Sequence, residues 1–154
     1  MAGGFVGTLV LTTGLRAANA FNLTRIDLPF LLGTAFTSDR TRAKALGYGA
    51  HFINGQIFAL LYYAIFAVIG YSSWWLGTVF GLLHGLFAAT ALVNILLPLV
   101  HPRMGTPHTS APHVALLEPP GFLMLNYSPG TPTVTLAAHL AYGTIVGGFL
   151  AWPG

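Results

Sequence analysis

Residues 46–69 read LGYGAHFINGQIFALLYYAIFAVI and residues 74–100 read WWLGTVFGLLHGLFAATALVNILLPLV, with GYSS between them. Neither stretch contains Asp, Glu, Lys or Arg. At 1.5 Å per residue, about 20 residues of helix cross a hydrocarbon layer roughly 30 Å thick, and both stretches exceed that length. Inside lipid a lone segment satisfies its backbone N–H and C=O groups only as a helix. The pair therefore predicts a helical hairpin in a membrane, and an all-α fold.

Two further stretches lie outside the pair. Gly3 to Leu23 is apolar but interrupted by Arg16, and Val134 to Trp152 closes the chain. Arg16 lies close enough to the end of its helix to snorkel to the interface. The start of the chain imitates a signal peptide, with an apolar run from Phe5 to Leu11 and then Ala18-Asn19-Ala20. Met1 to Gly4 lacks the basic residues of a secretory n-region, so the stretch reads as a span. The expectation is one membrane domain over 1–154, with four transmembrane helices at about 3–23, 46–69, 74–100 and 134–152 and an irregular loop over 101–133.

Charged residues are 6% of the chain and hydrophobic ones 55%, a balance that leaves too few polar groups to cover a water-soluble surface. Six dispersed basic residues do not form a nucleic-acid footprint despite the net charge of +3. They do report orientation. Arg16, Arg25, Arg40, Arg42 and Lys44 fall in or after the first span and Arg103 after the third, which places all six on one side. The positive-inside rule makes that side cytoplasmic, with both termini outside, as in a bacterial inner membrane. Trp74, Trp75 and Trp152 fit an outer aromatic belt. There is no cysteine, hence no disulfide and no thiolate ligand.

The cytoplasmic link from Thr24 to Ala45 carries its own signals. Asp27 before Leu28-Pro29 marks a helix start, and the apolar run to Phe36 suits a helix lying in the interface. Ser38 reads as the cap of a helix that continues into the second span. Seven of the ten prolines fall between His101 and Thr133, which excludes a long helix there. Within that loop, Phe122 to Tyr127 (FLMLNY) is apolar enough to dip against membrane or bundle.

Histidine carries the chemistry. His51 and His139 each lie about five residues inside a span, roughly 7 Å from its cytoplasmic boundary. Each heads a small-residue ridge (His51-Gly55-Ala59 and His139-Gly143-Gly147), and such ridges face neighbouring helices. His101 closes the third span, His108 and His113 follow it, and His84 lies toward the outer half. Asn54, Asn94 and Tyr142 are polar neighbours for a second shell. His51, His139, His101 and His84 are thus candidates for haem or chlorin, with His51, His101 and His139 the set for a divalent metal. The competing reading is hydrogen bonding between helices, or handling of protons or solutes. Gly77, Gly81 and Gly85, with Gly143 and Gly147, form ladders that let helices pack closely within the bundle or against a partner.

Enzyme templates fail: no phosphate loop, no G-x-S-x-G elbow and no paired carboxylates occur. GGFVGTLVLTTG in the first span, AHFING in the second, GLLHGL and LPLVHPR in the third and HLAYGTIVGG in the fourth resemble an uncharacterised family of small four-helix bacterial integral membrane proteins. That resemblance implies four spans and singles out His51, His84, His101 and His139, but implies no activity. Two functions are expected. One is a non-catalytic subunit of a respiratory or photosynthetic membrane complex, in contact with the bilayer and a membrane protein partner or second copy. The other is a stand-alone haem- or metal-binding membrane protein for electron transfer or oxidation.

Overall fold

The computed structural model describes residues 1–104 and 117–151, and they fold into helices with no β-strand among them. The helices are α1 (Ala2–Ala20), α2 (Leu28–Gly33), α3 (Arg40–Ile69), α4 (Trp74–Val100) and α5 (Thr131–Ala151). Three of them, α3, α4 and α5, are long and apolar enough to cross a membrane. Helix α1 is 19 residues long, but Arg16, Asn19 and three threonines dilute its hydropathy.

Caps fix where the helices begin. Asp27 Oδ1 accepts the Phe30 N–H at 3.1 Å, with Pro29 in the first turn of α2, as the sequence predicts. Helix α3 starts earlier than the apolar pattern implies. It is capped by Asp39, whose Oδ1 accepts the Arg42 N–H at 2.8 Å, and not by Ser38. Gly70, at φ 72°, takes the left-handed conformation that ends α3 and turns the chain toward α4.

Packing is set by close backbone approach. Gly77 and Gly81 of α4 lie against Gly143, Gly147 and the His139 carbonyl of α5, so closely that a Cβ at any of them would overlap main-chain atoms. Helix α1 fits between α5 and α3, with Gly7 under the Tyr142 ring, Gly4 against Ala59, and Thr8 over Gly55. Its buried threonines do not strain it, because Thr8 and Thr12 donate to the Gly4 and Thr8 carbonyls at 2.7 and 2.6 Å. Helix α2 lies on the first turns of α3, where Gly33 meets Ala43 and Gly47 meets Pro29.

Helices α3 and α4 are joined differently, through aromatic side chains. Phe80 of α4 lies 5.8 Å from Tyr62 and 5.4 Å from Phe66 of α3, ring centre to ring centre. Helix α4 also widens over Ala88–Leu96 into π-helical turns. Pro98 has no N–H and its ring would crowd the carbonyl of residue 94 in a regular helix, and a wider turn relieves both problems. The Asn94 side chain is absorbed there, donating to the Ala89 and Thr90 carbonyls at 3.1 and 2.9 Å.

His108, His113, Pro107 and Pro112 lie outside the described residues, as does Trp152. The described parts of the 101–133 segment, 101–104 and 117–133, dock on the bundle. The Arg25 guanidinium donates to the Asn126 carbonyl at 2.5 Å, and Tyr127 O–H donates to the Glu118 carbonyl at 2.8 Å. Burial and the nearby Glu118 push the Tyr127 phenol up to about 12, although Arg25 pulls it down, so it remains a donor at neutral pH. Within the FLMLNY turn, Met124 is buried while Phe122 faces outward.

The start of α5 is tied to the link after α1 by a bond between the Thr24 and Thr131 hydroxyls, 2.8 Å apart and both buried. Thr24 Oγ1 also accepts the Ile26 N–H at 3.1 Å. Thr24→Val is expected to destabilise the protein by about 2 kcal/mol, because two buried partners lose their bond. Thr24→Val with Thr131→Val should recover part of that loss in thermal unfolding followed by circular dichroism.

Candidate functional site

Beside the aromatic contacts lies a cavity of about 310 Å³, lined by residues of α1, α3, α4 and α5. Its wall is mostly aliphatic, formed by residues such as Leu11, Leu92, Val93 and Met124. Its polar groups sit together: His51 and Asn54 from α3, His84 from α4, and His139 and Tyr142 from α5.

The glycine packing of α4 on α5 creates this convergence. A Cβ at Gly85 would lie 2.9 Å from the His139 Cβ, so glycine at 85 is what admits the His139 ring beside α4. The same register places His84 next to His139, with ring centres 4.7 Å apart in an edge-to-face arrangement. His84 also stacks on Phe58 at 3.7 Å, and its Nδ1 lies 3.5 Å from Tyr62 Oη, the outer limit of a hydrogen bond.

Hydrogen bonds define the state of two further groups. The Thr135 carbonyl lies 2.8 Å from His139 Nδ1, so that nitrogen carries the proton and the neutral ring presents a lone pair at Nε2. Tyr142 O–H donates to the Gly55 carbonyl at 2.5 Å, locking α5 to α3 across the site. Tyr142→Phe should cost about 1 kcal/mol in thermal unfolding. By contrast, His51 Nε2 is buried and has no hydrogen-bond partner among the described residues.

The structure thus brings together His51, His84, His139, Tyr142 and Asn54. It does not bring His101 to them. The chain leaves its helix at His101, whose Nε2 donates to the Leu31 carbonyl at 2.9 Å while its Nδ1 accepts the Arg103 N–H at 3.1 Å. Nε2 is spent joining the end of α4 to α2 and Nδ1 holding the turn that follows α4, so His51, His101 and His139 do not form a ligand set. Asn94 is likewise occupied within its own helix. Among the described residues no group of three or more His, Asp or Glu side chains is placed to hold a metal ion.

Phe58 and Tyr62 support the site and were not singled out from the sequence. Their signal is present: His51, Gly55, Phe58, Tyr62 and Phe66 follow one face of α3 at helical spacing.

At one end the cavity opens sideways. Leu96, Leu99 and Val100 line it and are 45%, 76% and 77% exposed, so its rim is the apolar outer surface of α4.

Set against known protein families, curated proteins and solved structures, the chain matches none, and the resemblance drawn from its short motifs gains no support from them.

Proposed function

We propose that this is a four-span integral membrane protein, non-catalytic by itself, that binds a lipid-soluble ring compound in the histidine-lined cavity. The ligand class is one bearing hydroxyl or carbonyl oxygens on the ring, of which quinols and quinones are the type. The observation that carries the proposal is that His51, whose Nε2 is buried and unpartnered among the described residues, lines a mostly apolar cavity together with His84, His139 and Tyr142. Leaving such an atom unsatisfied costs about 1–3 kcal/mol, which a ligand supplying the missing bond returns. His139 offers a lone pair to a ligand hydroxyl, and the volume falls at the small end of the roughly 300–1,000 Å³ range of ligand sites.

Helix α1 supports the fourth span. At about 28 Å it matches the hydrocarbon thickness, and its outward residues Phe5, Leu9 and Val10 are exposed apolar groups. The six cations support a cytoplasmic location for the α2 end, and with it an inner-membrane protein with both termini outside.

A bound transition metal is the second reading. One observation favours it: His139 donates Nδ1–H to a backbone carbonyl, as metal-ligating imidazoles do. Haem fits less well, since His84 and His139 touch each other and leave no slot for a macrocycle between them. The reading as a subunit of a respiratory or photosynthetic complex rests on the glycine ladders and the lack of catalytic groups. The α4 and α5 ladders are occupied by each other.

Binding is tested by thermal unfolding in detergent with short-chain quinone and quinol analogues, an alkane of matching tail length, and Zn²⁺ or Cu²⁺. Stabilisation should follow the ring compounds, reaching about 2.7 kcal/mol at a hundredfold excess over Kd. Stabilisation by the alkane alone would sink the proposal, and a shift with metal alone would replace it by the second reading.

A further inference from the structure

A second cavity, of about 400 Å³, lies between α1 and the start of α3. Its lining differs from that of the histidine cavity, with Arg16 and Asn19 on α1, Asp27 at the cap of α2, and Lys44 and Tyr48 on α3. Among the described residues the one ion pair is here, Lys44 Nζ to Asp27 Oδ2 at 2.9 Å, with the two side chains 50% and 39% exposed. Arg16 pairs with none of the three acids. Three other cations at this end of the bundle are engaged, Arg25 on the Asn126 carbonyl, Arg103 on the Thr34 carbonyl at 2.6 Å, and Arg40 over the Phe30 ring, while Arg42 is exposed outside the cleft. Arg16 and Lys44 against Asp27 leave the cleft with one surplus positive charge.

The surroundings are apolar. Phe21, Leu23 and Leu46 are exposed nearby, on the same end of α1 and α3. An arginine on a helix with lipid-facing neighbours is costly unless it finds an anion or reaches water, and anionic lipids are enriched in the cytoplasmic leaflet. We propose that this cleft holds the headgroup of one anionic phospholipid, its phosphodiester between Arg16 and Lys44. The guanidinium fork suits two phosphate oxygens, and the ammonium adds a point charge. Asp27 disfavours a doubly charged phosphate and can accept from headgroup hydroxyls, which selects a monoanionic diester of the phosphatidylglycerol type. This site is independent of what the histidine cavity holds.

The test is native mass spectrometry of the full chain from mixed phosphatidylglycerol and phosphatidylcholine micelles, counting retained lipids. One phosphatidylglycerol per chain should be retained in preference to phosphatidylcholine. Arg16→Gln should weaken retention about tenfold, and Lys44→Gln comparably. Arg42→Gln, an exposed cation at the same end but outside the cleft, should leave retention unchanged. Circular dichroism of each variant separates lost binding from lost folding, and Arg16→Lys should restore part of the retention. Equal losses for Arg16→Gln and Arg42→Gln would overturn the proposal in favour of diffuse surface charge. Absence of any preference for phosphatidylglycerol would overturn it outright. Displacement of the lipid by inorganic phosphate at millimolar concentration would reassign the cleft to a free anion.

Discussion

Gly143→Leu is expected to lower stability by about 3 kcal/mol, the upper end of overpacking penalties, and Tm by roughly 6–12 °C. The reason lies in what surrounds that position. A Cβ at 143 would overlap the Gly77 carbonyl oxygen and come within 2.7 Å of the Gly81 Cα. Both are backbone atoms of a helix and cannot rotate aside as a side chain can. The whole of α4 would have to withdraw from α5, disturbing the His84–His139 contact on the same seam. Gly14→Leu is the matched control, because a Cβ there meets nothing within 4 Å. Thermal unfolding in one detergent, read by circular dichroism, compares the two directly. Equal drops would mean that the loss comes from glycine content in general and not from the α4–α5 seam.

The second prediction separates two histidines that look alike in the sequence. His84 is a packed ring, stacked on Phe58 and edge-on to His139, Tyr62 and Tyr142. His84→Ala should therefore cost about 2–3 kcal/mol, because these ring contacts are lost and the adjoining cavity is enlarged. His51 carries an unsatisfied buried nitrogen, so His51→Leu should raise stability by about 1 kcal/mol. The same substitution should abolish the stabilisation by quinone-type ligands. A variant that is more stable and unable to bind is the mark of a residue kept for function at some expense to the fold. If His51→Leu were destabilising by more than about 1 kcal/mol, the ring would be a packing group and the ligand reading would lose its main support.

Much of the architecture was legible because lipid imposes a simple requirement, long runs without charge. The hairpin of α3 and α4 follows from that alone. Helix ends were less visible: Asp39 rather than Ser38 caps α3, because either residue satisfies the rule and only the folded chain shows which oxygen meets the Arg42 N–H. The pairing of α4 with α5 was half legible. The glycine ladders can be read from spacing, but the register between two ladders cannot, and that register sets the level of His84. Reading depth from the ends of the spans therefore grouped His51 and His139 with His101, whereas His84 occupies that place. His101 misled because a histidine at a helix end reads the same whether it faces the bundle or ties down the next turn. Asn94 was obscured by Pro98, whose effect on the turns before it changes which way they face. The polar cleft around Arg16 needed the fold, since its residues come from three separate segments.

The sideways rim formed by Leu96, Leu99 and Val100 has a consequence for how occupancy is controlled. A ligand arriving through that rim is governed by its mole fraction among the lipids, not by its concentration in the surrounding water. Adding empty vesicles would dilute the ligand in two dimensions and empty the cavity, although the total amount per volume of buffer stayed the same. Half-saturation should therefore move in proportion to the lipid-to-protein ratio. In a cell, it would follow the ligand's abundance in the membrane that surrounds the protein.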